Sequence, residues 1–287
     1  MNNRLASSDM EFIRCEIKAR FIRKEIIKLY GDSDDPDKKA VADYLKHNSI
    51  TVFPYTFFNK YKTKDYPVQK DPESGLLYFN WKGSRMFLRR GYTSYRASRY
   101  IKNIHMEQDP ASPHRYTTDS FAPDEGSVIF DIGAAEGFFP LEYIERAKHI
   151  YIFECASSWN EALNLTYKGY EDKITIINKF VSDKCDDMHI TLDSLCSEDS
   201  LFNEKIFIKA DAEGDELKII NGAKELLNRA DNVKLAICTY HHQGDEQAIR
   251  EQFAGWRAES SNGYMLYYYD FDFRSPFLRK GVLRLTK

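Results

Sequence analysis

From residue 127 onward, short apolar runs alternate with stretches of helical periodicity. The runs lie at 128–130, 149–153, 174–181, 205–210 and 233–239, and the helical patterns at 141–147, 158–167, 216–228 and 245–253. Runs of four to eight apolar residues separated by amphipathic helices predict βαβ units, hence a mostly parallel sheet with helices on both faces. The end breaks this rhythm. Segments 264–269 and 282–285 have no helix between them, which predicts an antiparallel closing pair. The expected fold is therefore α/β and Rossmann-like, with an antiparallel C-terminal pair.

The first 118 residues follow another pattern. Residues 11–30 place Ile13, Ile17, Phe21, Ile26 and Tyr30 near helical spacing, which predicts an amphipathic helix ending at Gly31. A short helix is expected over 36–47, a β-hairpin from 76–79 and 85–89 around the turn at 81–84, and a helix over 95–107. The run from Asp109 to Tyr116 contains Pro110 and Pro113, each of which denies a backbone donor and disfavours helix before it. The domain boundary is expected there: an N-terminal α+β cap over 1–118 and a ligand-binding domain over 119–287.

At 287 residues with 43% hydrophobic and 30% charged side chains, the chain has the composition of a globular protein. Its net charge of −3 conceals a split. Residues 1–118 carry 22 Lys and Arg against 14 Asp and Glu, and the remainder 19 against 30. A basic segment beside an acidic one suits an anionic partner on one side and a cation or hydroxyl-rich ligand on the other. The five cysteines show no metal-ligand or disulfide spacing, and no stretch approaches the ~20 apolar residues that span a bilayer. A polar start, Met1 to Asp9, without an apolar segment behind it completes the expectation of a soluble cytoplasmic protein with no transmembrane segment.

Candidate chemistry begins where the first strand ends in Asp131-Ile132-Gly133-Ala134-Ala135-Glu136-Gly137 and runs into a helix. Open α/β sheets bind nucleotides at that position. Gly133 allows a tight turn and close ligand approach, and Gly137 close helix packing. A dinucleotide fingerprint requires glycine where Ala135 and Phe138 stand. The acids Asp131 and Glu136 would repel a diphosphate, yet suit a ligand carrying an ammonium and a sulfonium, as S-adenosylmethionine does. Glu154, closing the second strand, can accept hydrogen bonds from both ribose hydroxyls of either cofactor. The fourth strand opens into Lys209-Ala210-Asp211-Ala212-Glu213-Gly214-Asp215-Glu216, a concentration of carboxylates.

These runs, Val128 to Gly137, Phe153-Glu154, Thr191-Leu192-Asp193 and Ile208 to Glu216, resemble the FkbM family of class I S-adenosylmethionine-dependent methyltransferases over residues 115–253 or so. The chain departs from the family pattern at Cys155, where proline is usual, and at Ala135-Glu136, where Asn-Ile is common. The resemblance implies O-methylation of a sugar, glycan or related small-molecule hydroxyl. It implies cofactor contacts from Asp131, Gly133, Ala134, Glu136, Gly137, Glu154 and Asp211, with Asp183 reading the adenine amino group. Candidates for the proton-accepting side are Asp211, Glu213, and His241 or His242, of which His241 is favoured. Asp193, Asp211 and Glu213 are hard oxygen ligands that could gather a divalent cation, but Asp211 is expected beside the cofactor instead and no metal is expected.

On the acceptor side, Arg85, Arg89, Arg90, Arg96 and Arg99 stand among Trp81, Phe87, Tyr92, Tyr95 and Tyr100. They suit an acceptor bearing phosphate or carboxylate. The cap lacks an RRM, KH or zinc signature, so a nucleic-acid acceptor is not expected. The competing functions are an RNA or protein methyltransferase, and a binding protein that keeps the fold without turnover.

Overall fold

The computed structural model describes residues 18–196, 199–268 and 273–287. A helix α1 occupies 18–30, and the earlier part of the expected 11–30 helix, with Ile13 and Ile17, lies outside the described residues. Its buried face is Ile22 and Ile26, whereas Phe21 is exposed, one position off the face expected from spacing. Helix α2, Pro36–His47, starts with Pro at its first turn behind Asp35, whose side chain accepts from the Asp37 and Lys38 amides. A small antiparallel sheet follows, β1 (Gln69–Lys70), β2 (Leu77–Trp81) and β3 (Ser84–Phe87), and then α3 (Ser94–Glu107), capped by the Thr93 hydroxyl.

The main sheet contains β4 (Val128–Ile132), β5 (His149–Phe153), β6 (Ile174–Ile177), β9 (Lys205–Ala210), β10 (Asn232–Cys238), β11 (Arg257–Ser260) and β12 (Val282–Thr286). Between β6 and β9 lie β7 (Phe180–Val181) and β8 (His189–Ile190), a parallel pair outside the main sheet. The spatial order is β11-β12-β10-β9-β4-β5-β6, parallel except that β12 runs against both its neighbours. This is the expected Rossmann-like α/β sheet with an antiparallel C-terminal pair. The helices are α4 (Phe138–Tyr143), α5 (Asn160–Thr166), α6 (Glu216–Asn221), α7 (Lys224–Arg229) and α8 (Asp245–Gln252).

Strand alternation sorts the core into two layers. Val128, Phe130 and Ile132 of β4 join Ile206, Ile208 and Ala210 of β9 on one face. Ile129 and Phe207 point to the other face, where they meet Phe53, Trp81, Met86, Ile101 and Tyr116 from the N-terminal elements in a continuous cluster. The N-terminal segment thus covers one face of the sheet. Arg284 of β12 fastens the join, donating from Nε to Tyr116 O at 3.1 Å and from Nη2 to Arg115 O at 2.7 Å.

Three expectations need correction. The closing strand β12 pairs with 257–260, not with 264–269. Tyr264 and Tyr267 have strand propensity, but their hydroxyls reach Asp35 at 2.7 Å and Glu213 at 3.4 Å, and among the described residues of this segment only Met265 makes a bridge, to Arg279. Residue 269 lies outside the described residues. The 174–181 run breaks at Asn178, whose amide donates to Glu154 O at 3.2 Å. The 216–228 helix breaks at Gly222, where the chain runs against Ser182. Asp193 then caps α7, accepting from the Glu225 and Leu226 amides at 3.0 and 2.9 Å.

A Cβ on Gly222 would lie 1.9 Å from Ser182 O. Gly222→Ala therefore forces two backbones apart and is expected to lower stability by about 1–3 kcal/mol, read by urea denaturation.

Candidate active site

The strand order reverses at β4, which leads to β5 on one side and has β9 on the other, so a crevice opens beyond their carboxyl ends. The 131–137 loop turns there through three positive φ values, Gly133 at 71°, Ala135 at 48° and Gly137 at 78°. Glycine is required at 133 because a Cβ would stand 1.9 Å from Asp211 O. At Gly137 a Cβ would meet Tyr167 and Leu163 at 2.8 and 2.9 Å, so α4 packs directly on α5 and the turn that follows it. Gly133 and Ala134 donate to Phe153 O at 3.0 and 3.2 Å. Glu154 accepts from the Ala135 amide at 2.8 Å and the Ala156 amide at 2.7 Å, which makes it the organiser of the loop as well as a candidate ligand.

Asp131 and Lys209 are cross-strand partners in the β4–β9 register, and both are buried. Lys209 Nζ lies 3.1 Å from Asp131 Oδ1 and directs hydrogen bonds at Ile132 O (3.1 Å) and Gly133 O (2.7 Å), under the Tyr116 ring. Burial pushes the Asp131 carboxyl up against the pull of the lysine. For Lys209 burial acts downward, but Asp131 and Asp211 outweigh it and hold the amine charged.

Beside this pair lies Glu136, buried and hydrogen-bonded by the Tyr100 hydroxyl of α3. Burial raises its pKa to about 7. Glu107, in the last turn of α3, faces the same space with no hydrogen bond among the described residues. Its carboxyl is pushed up by burial and coupled to His114, Asp211 and Lys209.

Asp211, just past β9, is the hub. Its Oδ2 accepts from Tyr116 at 2.8 Å and its Oδ1 from Tyr240 at 3.1 Å, with His114 Nε2 at 3.4 Å and His241 Nε2 at 3.5 Å. Burial would raise its pKa, but His114, His241 and Lys209 hold it well below the carboxylate range. Glu213 is exposed, with Oε2 3.6 Å from His241 Nε2. Glu216 is buried, accepts from the Ala212 amide at 2.9 Å, and stands 2.9 Å from His241 Nδ1. His241 points inward and is buried, while His242 is exposed against Gly214.

The structure thus brings Asp131, Gly133, Ala134, Glu136, Gly137, Glu154, Asp211, Glu213 and His241 to one edge. Asp183 is exposed beyond β7, bonded by Ser182 at 3.3 Å, and makes no hydrogen bond or ion pair with the others. Asp193 is committed to capping α7 and does not meet Asp211. Of the cap arginines, Arg85 and Arg90 face Asp71 and Glu161, whereas Arg89 lies over Trp159, 3.4 Å from Ser158 Oγ. Sequence reasoning missed Glu107 and Tyr240, and it placed Tyr100 among the acceptor-side aromatics without its hydrogen bond to Glu136. Glu107 carried one legible signal: an acid in the last turn of a helix opposes the macrodipole, so another constraint keeps it there.

Two outcomes are expected. Lys209→Ala strands Asp131 without its buried cation and should cost about 3–5 kcal/mol in urea denaturation, much of it recovered in Lys209→Met with Asp131→Asn. Glu136 has a folded pKa near 7 against 4.5, so the folded state holds the proton more tightly. Its contribution is present below about pH 4.5 and is lost as pH rises through 7. The stability of the wild type relative to Glu136→Gln should therefore fall by roughly 3 kcal/mol between pH 4.5 and 8.

Residues 148–266 match the family model described as Methyltransferase FkbM domain, a span that holds Glu154, Asp183, Asp211, Glu213 and His241 and begins beyond the 131–137 loop. No curated protein matches the sequence. Among solved structures, the methyltransferase FkbM from Methylobacillus flagellatus KT is similar at 16% identity over 66% of this chain and 54% of that one, with a TM-score of 0.45. This chain thus spans about half of that protein. An rRNA methylase from Streptococcus thermophilus is similar at 12% identity over 65% and 95%, TM-score 0.37. A putative methyltransferase from Streptococcus mutans, solved in complex with SAH, is similar at 13% identity over 57% and 90%, TM-score 0.38. Residues 148–266, which include strands and loops that form one side of the crevice, are thus similar to the methyltransferase FkbM domain.

Proposed function

We propose that the crevice binds S-adenosylmethionine and that the protein methylates a hydroxyl of a sugar, glycan or related small molecule. One observation carries the cofactor reading. Five carboxylates, Asp131, Glu136, Glu154, Asp211 and Glu107, gather where β4 and β9 diverge, and Lys209 is the buried lysine among them. Such a lining disfavours a diphosphate and fits a ligand with an ammonium and a sulfonium. In this reading Glu154 holds the ribose hydroxyls through the lone pairs its amide donors leave free. Gly133, Ala134 and Gly137 admit the ligand to the loop backbone, and Asp131, Glu136 and Asp211 balance its charge. Asp183 is assigned to the adenine amino group.

When bound, the cofactor supplies a methyl group on a sulfonium, an electrophile for an oxygen nucleophile. The chain's part is to align the acceptor and receive its proton. Asp211, Glu213 and His241 form the acceptor side. Asp211, kept ionised and fixed by two tyrosine hydroxyls, can orient a hydroxyl. Tyr116, Tyr240 and Tyr267 add aromatic faces suited to a sugar ring. Residues 1–118 act as a cap that shapes the acceptor site over the cofactor domain of 119–287, since the cap supplies Tyr100, Glu107, His114 and Tyr116 to the crevice.

Calorimetry should find one S-adenosylmethionine per chain and no NAD binding. Glu154→Ala should weaken the cofactor by about 1.5–3 kcal/mol, the loss of charge-assisted hydrogen bonds. A bound cation favours ionised Glu136, so binding at pH 6–7 should release protons, seen as buffer-dependent heats that disappear in Glu136→Gln. Incubation of cell extract with methyl-labelled cofactor tests the acceptor. A nuclease- and protease-resistant product supports this reading, a sensitive product assigns the chain to RNA or protein methylation, and cofactor binding without any product makes it a binding protein.

A further inference from the structure

A hydroxyl that attacks a sulfonium methyl must give up its proton, and most acids and imidazoles of the crevice are already committed. Asp211 accepts from Tyr116 and Tyr240 and is held well below the carboxylate range. Glu154 accepts from two amides, Asp131 is paired with Lys209, and Glu136 accepts from Tyr100. For His241, favoured from the sequence, burial acts downward, but Glu216, Asp211 and Glu213 outweigh it and favour the protonated ring, which has no lone pair to offer. His114 turns Nε2 to Asp211 at 3.4 Å and to the Tyr240 hydroxyl at 3.3 Å. The Glu213 side chain is 83% exposed, so water competes for it.

Glu107 differs from all of these. It is the last residue of α3, and among the described residues no hydrogen bond or ion pair reaches its carboxylate. Protein encloses it, yet part of its surface stays accessible, as for a group that lines a cleft. Its electrostatic neighbours lie on two sides: Tyr100 and Glu136 toward the 131–137 loop, and His114, Asp211 and Tyr240 toward the acceptor side, with Lys209 near both. Tyr116 closes the second side over Lys209. An in-line transfer puts the reacting hydroxyl between the cofactor loop and the residues that hold the acceptor, which is where this carboxylate stands. Burial raises its affinity for a proton, and so does the negative end of α3.

We propose that Glu107 is the catalytic base of the transfer, an inference that rests on the methyl-transfer reading above. The acceptor oxygen bonds to the methyl carbon, and the carbon–sulfur bond breaks with its electron pair going to sulfur. The hydroxyl proton passes to a Glu107 carboxylate oxygen, which later releases it to water. Asp211 and protonated His241 orient the acceptor, and the N-terminal segment supplies a reacting group as well as a wall of the site.

Cell extract with limiting acceptor and saturating methyl-labelled S-adenosylmethionine gives the rate, and calorimetry gives the cofactor affinity. Glu107→Gln should label about 10²–10⁴-fold more slowly than wild type while binding the cofactor within about tenfold of it. Saturating cofactor keeps Glu136 ionised, so the wild-type rate should rise with pH through one ionisation above the ordinary 4.5, a rise absent in Glu107→Gln. Formate should restore Glu107→Ala at least about tenfold and leave the wild type unchanged. A carboxyl held up by burial disfavours the folded state once ionised, so Glu107→Gln should be no less stable than wild type in urea at about pH 7, whereas loss of a structural contact would lower stability. Labelling by Glu107→Gln within about tenfold of wild type, cofactor affinity weakened beyond that, or a rate in Glu107→Ala that formate does not restore would overturn the assignment and leave methyl transfer standing. A wild type that labels nothing would overturn both.

Discussion

The buried pair of Asp131 and Lys209 is the constraint on which the crevice depends. Two charges leave water side by side on adjacent central strands, and in a low-dielectric core neither can remain without the other. Having entered the core for Asp131, the lysine has two further donors to satisfy, and it aims them at the carbonyls of Ile132 and Gly133. Those carbonyls are the first of the loop, so the ion pair sets the direction in which the loop leaves β4. The close crossing at Asp211 follows, and with it the need for glycine at 133. Tyr116, lying over the same amine, ties the N-terminal segment into the arrangement.

Most of the sheet was legible because fully buried parallel strands read as short apolar runs. The bounds 149–153 and 205–210 agree with β5 and β9, and β4 and β10 differ by one or two residues at an end. The failures share a cause. Breaks at Asn178 and Gly222 and the non-strand at 264–267 come from contacts between residues far apart in sequence. They involve Asn178 with Glu154, Gly222 with Ser182, and Tyr264 with Asp35. Periodicity reports one element's preference for a buried face, and it carries nothing about the backbone another element brings against it.

The site divides the same way. Asp131, Glu154 and Asp211 were legible because residues at or just past the carboxyl ends of parallel strands share one edge whatever the details of packing. Glu107 and the contact of Tyr100 with Glu136 were not, since their place there depends on how α3 lies across the sheet. Net charge was misleading for a related reason. The first 118 residues are basic as a whole, but Arg85 and Arg90 are turned toward Asp71 and Glu161, and what this segment contributes at the crevice is Glu107, His114 and tyrosine hydroxyls. The charge of a segment is a sum over all its faces, whereas a ligand meets one of them.

Within the crevice the carboxylates are not equivalent, and their difference orders the site. Glu136, buried against a single phenol, is held up near neutrality, while Asp211, among two histidines, two phenols and Lys209, is held far down. At neutral pH one can take or lose a proton with little cost and the other cannot change at all. Environments that push like groups apart assign them different work. The adjustable acid suits the place where a cation arrives and leaves, since its charge can follow the ligand's. The fixed one suits a place where geometry must be held, since its charge stays constant and two phenol donors fix its oxygens.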